Sequence, residues 1–169
     1  MDLRSLPCAL ALWLVGCGHA VTSPGTVSFE LENQGAAPIF AQVSVSCGGQ
    51  AWVSIIEPNG TIVGTQGGSC MTRCGEPPIA CPAVCLAPMT ASIGHGQVQT
   101  ETWDAIIYRQ SGSCVSPEAA DLSATYHAKF CWGTGTSTAG DGSPKITGQV
   151  CGMEDFKAGG EVHVRHVVQ

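Results

Sequence analysis

The chain has 169 residues, only 12% of them charged, with a formal net charge of −6, 22 glycines and ten cysteines. The acidic balance argues against nucleic acid or anionic headgroups as partners. Sparse charge with abundant glycine suits a loop-rich β-protein better than a helical one.

The first element is an apolar run from Ser5 to Val15, preceded by Met1-Asp2-Leu3-Arg4 and closed by Gly16 and Cys17. One basic residue, about ten apolar residues and a small residue before a cut site make a secretory signal. A spanning helix needs roughly 20 apolar residues, and this run ends too soon for one.

The closing residues, Leu14-Val15-Gly16-Cys17, match position for position the lipobox of bacterial lipoproteins, which the leader resembles. The resemblance implies a signal peptide over residues 1–16 and cleavage between Gly16 and Cys17. It also implies diacylation of the Cys17 thiol, usually with acylation of the new amine. Each buried CH2 contributes about 0.8 kcal/mol, so one chain anchors marginally and two or three anchor stably. Gly18 stands where an Asp would resemble the inner-membrane retention signal, which points the expectation to the outer membrane. A plain secreted protein cut nearby, at Ala20 for example, is the alternative.

Without the leader the chain keeps twelve of its thirteen acids and six of its seven bases, having lost Asp2 and Arg4. What remains is one domain of ordinary size. Cys8 leaves with the signal and Cys17 carries lipid. Eight cysteines remain: Cys47, Cys70, Cys74, Cys81, Cys85, Cys114, Cys131 and Cys151. An even set in an exported chain reads as four disulfides, of open connectivity.

Residues 17–26 are short, small and polar, which suits a lipidated tether. Period-two alternation begins next: Val27, Phe29 and Leu31 share one face, and Asn33-Gln34-Gly35 is a turn. Ile39, Ala41, Val43 and Val45 share a face of a second strand. Residues 51–57 form a third, and Pro58-Asn59-Gly60 turns the chain into Thr61-Ile62-Val63. Residues 64–88 differ in kind, since four cysteines and four prolines leave little room for a ladder or a long helix. A long stapled loop is expected there. Strand pattern resumes over Met89 to Ile93. A longer segment, Gln97 to Arg109, holds Trp103-Asp104 and breaks at Ser111-Gly112-Ser113, and Pro117 to Leu122 could form one helical turn at most. The clearest strand has Tyr126, Ala128, Phe130 and Trp132 on one face and His127, Lys129 and Cys131 on the other. Gly133 to Ser143 reads as a Gly/Ser/Thr loop, and residues 145–151 and 161–168 supply two more strands.

Eight or so short strands with turns between them indicate an all-β, disulfide-rich antiparallel β-sandwich over residues 27–169. The order resembles the immunoglobulin-like sandwiches of extracytoplasmic bacterial proteins. Phe29-Glu30-Leu31-Glu32-Asn33 is similar to their opening strand, and Asp121-Leu122-Ser123-Ala124-Thr125-Tyr126 to the approach of a tyrosine corner. The antibody pattern has a Cys two residues beyond the Tyr; here Ala128 stands there and Cys131 comes too late.

Cys70-x3-Cys74 and Cys81-x3-Cys85 form a twin motif. Zinc knuckles usually hold two intervening residues, and an oxidising compartment favours disulfides over thiolates. Nested disulfides stapling the loop are therefore expected, contributing roughly 3 kcal/mol in the chain-entropy model. A rigid loop of this kind, residues 70–85, would present side chains to a protein partner at reduced entropic cost. Two alternatives remain open: a protease-inhibitor-like module, and a periplasmic copper or thiol-redox protein that uses one x3-spaced pair, with Arg73 beside Cys74 as thin support. His163 and His166 lie three apart, on opposite faces of a strand, and cannot chelate together. His95 and His127 read as surface or turn residues. The known metal, haem, hydrolase and phosphate-loop patterns are missing, so no catalytic residue, metal or cofactor is expected. Trp52, Trp103 and Trp132 fit core packing, with an exposed aromatic platform as the sharper alternative. The expectation is a non-enzymatic, membrane-anchored structural or binding module.

Overall fold

The computed structural model describes residues 21–44, 51–63, 72–77, 88–140 and 142–169. The leader, Cys17, Cys47, Cys70, Cys81, Cys85 and Val45 lie outside the described residues. Within them the chain is all-β. Eleven strands follow in order: β1 (Gly25–Asn33), β2 (Ile39–Ser44), β3 (Val53–Ile56), β4 (Thr72–Arg73), β5 (Met89–Ile93), β6 (Val98–Trp103), β7 (Ile106–Ser111), β8 (Cys114–Ala119), β9 (Tyr126–Thr138), β10 (Pro144–Phe156) and β11 (Gly160–Val168).

Three sheets form. The first runs β11-β1-β6 and the second β10-β9-β2-β5, with β3 also pairing β9; the third is the small ribbon β4-β8-β7. The pairing is not wholly antiparallel as expected, because β1 runs parallel to β11 over their whole length and β4 parallel to β8. Parallel neighbours need a long connection, and here almost the whole chain lies between β1 and β11.

Alternation in the sequence places the core. Val27, Phe29 and Leu31 of β1 and Tyr126, Ala128, Phe130 and Trp132 of β9 are all buried. Phe29 meets Phe130 edge-on at 6.3 Å and Phe156 at 5.4 Å, while Trp103 packs on Tyr126 at 5.7 Å and on Phe156 at 6.3 Å. These contacts tie the first sheet to the second in the edge-to-face arrangement that ring quadrupoles favour. Trp52, Trp103 and Trp132 are buried, which settles the core reading against the exposed platform.

Two corners are held by polar groups. Asn33, fully buried, donates from Nδ2 to the Ala37 and Ile93 carbonyls and accepts from the Gly35 amide. Tyr126 accepts at its hydroxyl from the Asp121 amide at 3.0 Å, tying the start of β9 to the turn before it. At the open side, the His166 ring stacks on Phe130 at 5.4 Å and 16°, and its Nδ1 lies 2.8 Å from Glu154 Oε1. Gly152 makes room for it, since a Cβ there would come within 2.2 Å of the imidazole.

Three further sequence expectations are corrected. Gly133 to Ser143 is not one loop: β9 continues to Thr138 and β10 starts at Pro144, leaving only residues 139–143 as the turn. The glycines serve close approach rather than flexibility, because a Cβ on Gly133 would sit 2.6 Å from the Thr147 carbonyl oxygen. Pro117 to Leu122 makes no helical turn, and Pro117 sits within β8 opposite Tyr108. It is tolerated because β4 reaches only Cys114 and Val115, leaving that edge of β8 open at Pro117. The segment from Gln97 to Arg109 is two strands. Asp104 accepts from the Ile106 amide, and Ala105 adopts a φ of 55°, turning the chain from the first sheet into the ribbon.

Glu101 points to the inner face of β6 at the sheet edge, and burial pushes its carboxyl above the ordinary range. A raised folded-state value means that the charged form costs stability, a cost absent at acid pH and present once pH rises through the carboxylate range. Glu101→Gln is therefore expected to raise Tm by about 1–3 °C at pH 7, with the gain vanishing near pH 3, in thermal melts across pH. Tyr126→Phe leaves the Asp121 amide unpaired and is expected to cost about 1–2 kcal/mol in urea unfolding.

Candidate functional site: a disulfide-locked ribbon

The ribbon has a local cause. β7 and β8 pair from Ile106↔Ala119 to Ser111↔Cys114, leaving Gly112-Ser113 as a two-residue turn. Gly112 has a φ of 60°, which the first position of a type II′ turn requires and glycine adopts freely. At this tip Cys114 is bonded to Cys74, closing a separation of 40 residues. Thr72 and Arg73 run alongside Cys114 and Val115, and the Cys74 amide donates to the Val115 carbonyl at 3.0 Å.

The twin motif therefore does not staple only to itself, because the partner of Cys74 lies outside residues 64–88. Cross-linking a loop of this length removes roughly 3–5 kcal/mol of unfolded-state entropy in the chain model. The second disulfide joins Cys131 and Cys151, which stand directly opposite on β9 and β10. Cys131 is buried and Cys151 exposed.

The base of the ribbon is held by ions. Arg109 of β7 grips Glu57 with both guanidinium ends, at 2.5 and 2.6 Å, and reaches Glu118 of β8 through Nε at 3.0 Å. The Glu57 side chain is 8% exposed and that of Arg109 42%. The hydrogen bonds from Arg109 hold the Glu57 carboxyl below its ordinary range against the opposing effect of burial. A bidentate pair of this kind fixes orientation as well as charge. Sequence reading missed it because Glu57 and Arg109 are 52 residues apart and nothing local marks either.

The remaining candidates separate. His163 is exposed beside Glu30 and Glu161, whereas His166 lies half-buried on the core face, so the structure keeps the two on opposite faces. His95 is a turn residue near the Gln34 and Gly35 carbonyls, and His127 pairs with Asp155 at 2.6 Å. Among the described residues no three His, Cys, Asp or Glu side chains converge to hold a metal ion. A cleft of about 340 Å³ lies beside the β9–β10 hairpin, between Gln42, Trp132, Lys145 and Gln149.

The chain finds no match among family models, curated proteins or solved structures.

Arg109→Met would strand the Glu57 carboxylate without its partner. A loss of about 1–3 kcal/mol is expected at pH 7 by denaturant titration, at the low end for buried pairs because Arg109 is partly solvated. The Glu57 value is depressed in the fold, so its contribution is present above the unfolded carboxylate range and lost as pH falls. The deficit of the variant should accordingly shrink below about pH 4.

Proposed function

We propose that this chain is an exported lipoprotein of the cell envelope, anchored through Cys17 on the outer membrane. Its domain is an immunoglobulin-like β-sandwich that acts as a non-enzymatic binding module. The recognition element is the loop that leaves β4 after Cys74, carried on the ribbon β7–β8.

The Cys74–Cys114 disulfide is the observation that most supports this reading. Disulfides persist in oxidising compartments, which agrees with a leader ending in Leu14-Val15-Gly16-Cys17. The same bond fixes one end of the loop to a hairpin tip that Arg109 in turn fixes to the domain. Fixing Cys74 beforehand lowers the entropy lost at that end of the loop on binding, which favours affinity for a protein surface. The Tyr126 corner and the aromatic layer between two sheets favour the immunoglobulin-like assignment.

Cys17→Ala tests the anchor. The wild-type chain is expected in the detergent-soluble membrane fraction and the variant in the aqueous fraction; continued membrane attachment of the variant would sink the proposal. Thiol titration of the folded, unreduced protein is expected to find no reactive thiol, and two would favour a redox role instead.

A further inference from the structure

We propose that β10 is a self-association edge, through which two copies of this chain pair antiparallel across a two-fold axis at Val150. Four observations carry this.

The first is that, among the described residues, no further strand pairs with this edge. β10 is a terminal strand of the second sheet and runs for 13 residues. From Ile146 to Met153 it carries no charge, and Val150 and Met153 are 47% and 55% exposed. Among the described residues, the edges at β6, β11 and β5 are blunted in ways that discourage pairing. β6 turns the carboxyl of Glu101 inward, β11 carries Glu161, His163 and Arg165, and β5 is five residues long.

The second is the phase of the backbone. Cys131 and Cys151 stand opposite each other with Cα atoms 4.2 Å apart, the spacing of a non-hydrogen-bonded pair. Consistently, the Cys131 amide turns away from β10 and donates to the Trp52 carbonyl. The N–H and C=O of Cys151 therefore point away from β9, toward the open edge. By the same register, Gln149, Met153 and Asp155 share this phase, as do Lys145 and Thr147 beyond Gly148, whose φ of 61° interrupts the ladder without shifting its register.

The third is charge. An antiparallel pair centred on Val150 sets Lys145 opposite Asp155 of the second copy, and does so twice. Lys145 and Asp155 are both exposed, and both belong to the set whose backbone groups face outward; Asp155 keeps one oxygen on His127 of its own β9 and is 69% exposed, which leaves it able to meet a lysine. The fourth is symmetry: in that register Thr147 meets Met153, Gly148 meets Gly152 and Val150 meets itself, so no like charges oppose each other. This is the isologous contact that a closed dimer requires.

Sedimentation equilibrium of the purified full chain in mild detergent tests the proposal, supported by charge-swap variants. A concentration-dependent monomer–dimer equilibrium is expected. Lys145→Glu should weaken dimerisation by roughly tenfold by setting two like-charged pairs face to face. Adding Asp155→Lys to Lys145→Glu should restore most of the loss. A wild-type chain that stays monomeric at all concentrations would overturn the proposal. So would a dimer that Lys145→Glu leaves unchanged, or one whose loss the second change fails to rescue.

Discussion

The fold depends on one apolar layer: Phe29, Trp103, Tyr126, Phe130 and Phe156, which meet between the first two sheets. Neither sheet can bury its inner face alone, since the core apolar residues of its strands lie on that one face. Rings that interlock edge to face fix the relative placement of β1, β6, β9 and β10 at once, and the polar devices work at the margins of that layer. Asn33 closes the β1 corner, Tyr126 supplies both a ring to the core and a hydroxyl to the Asp121 turn, and His166 caps the open side against Phe130 and Glu154.

The ribbon β4-β8-β7 is built on a different basis. Ile106, Ile107 and Val115 are buried, but the ribbon adds no aromatic residue to the ring cluster. It is secured at its tip by Cys74–Cys114 and at its base by Glu57–Arg109–Glu118. A covalent bond and a bidentate ion pair substitute for the apolar area that a small ribbon lacks.

Glycine within a strand carries the same local signal as glycine in a loop. In the run Gly133-Thr134-Gly135 composition suggests a loop, yet two long strands pass there, because the absence of Cβ lets β10 approach β9. Gly152 likewise sits in mid-strand to admit the His166 ring. A local pattern reports what a residue permits, and a mobile turn and a close contact both use the same permission.

Alternation by itself determined the class of the protein and the buried faces of β1, β2 and β9, because period-two burial is a property of each strand alone; the burial of the tryptophans was settled by the structure. The Leu14-Val15-Gly16-Cys17 pattern and the cysteine spacings are also legible locally. Tertiary structure alone decided the parallel pairing of β1 with β11, the partners of Cys74 and Cys131, and the grip of Arg109 on Glu57. Each of these joins residues remote in sequence, and many pairings satisfy the same pattern. Only the packed sheets, which bring one of those pairings within bonding distance, select among them.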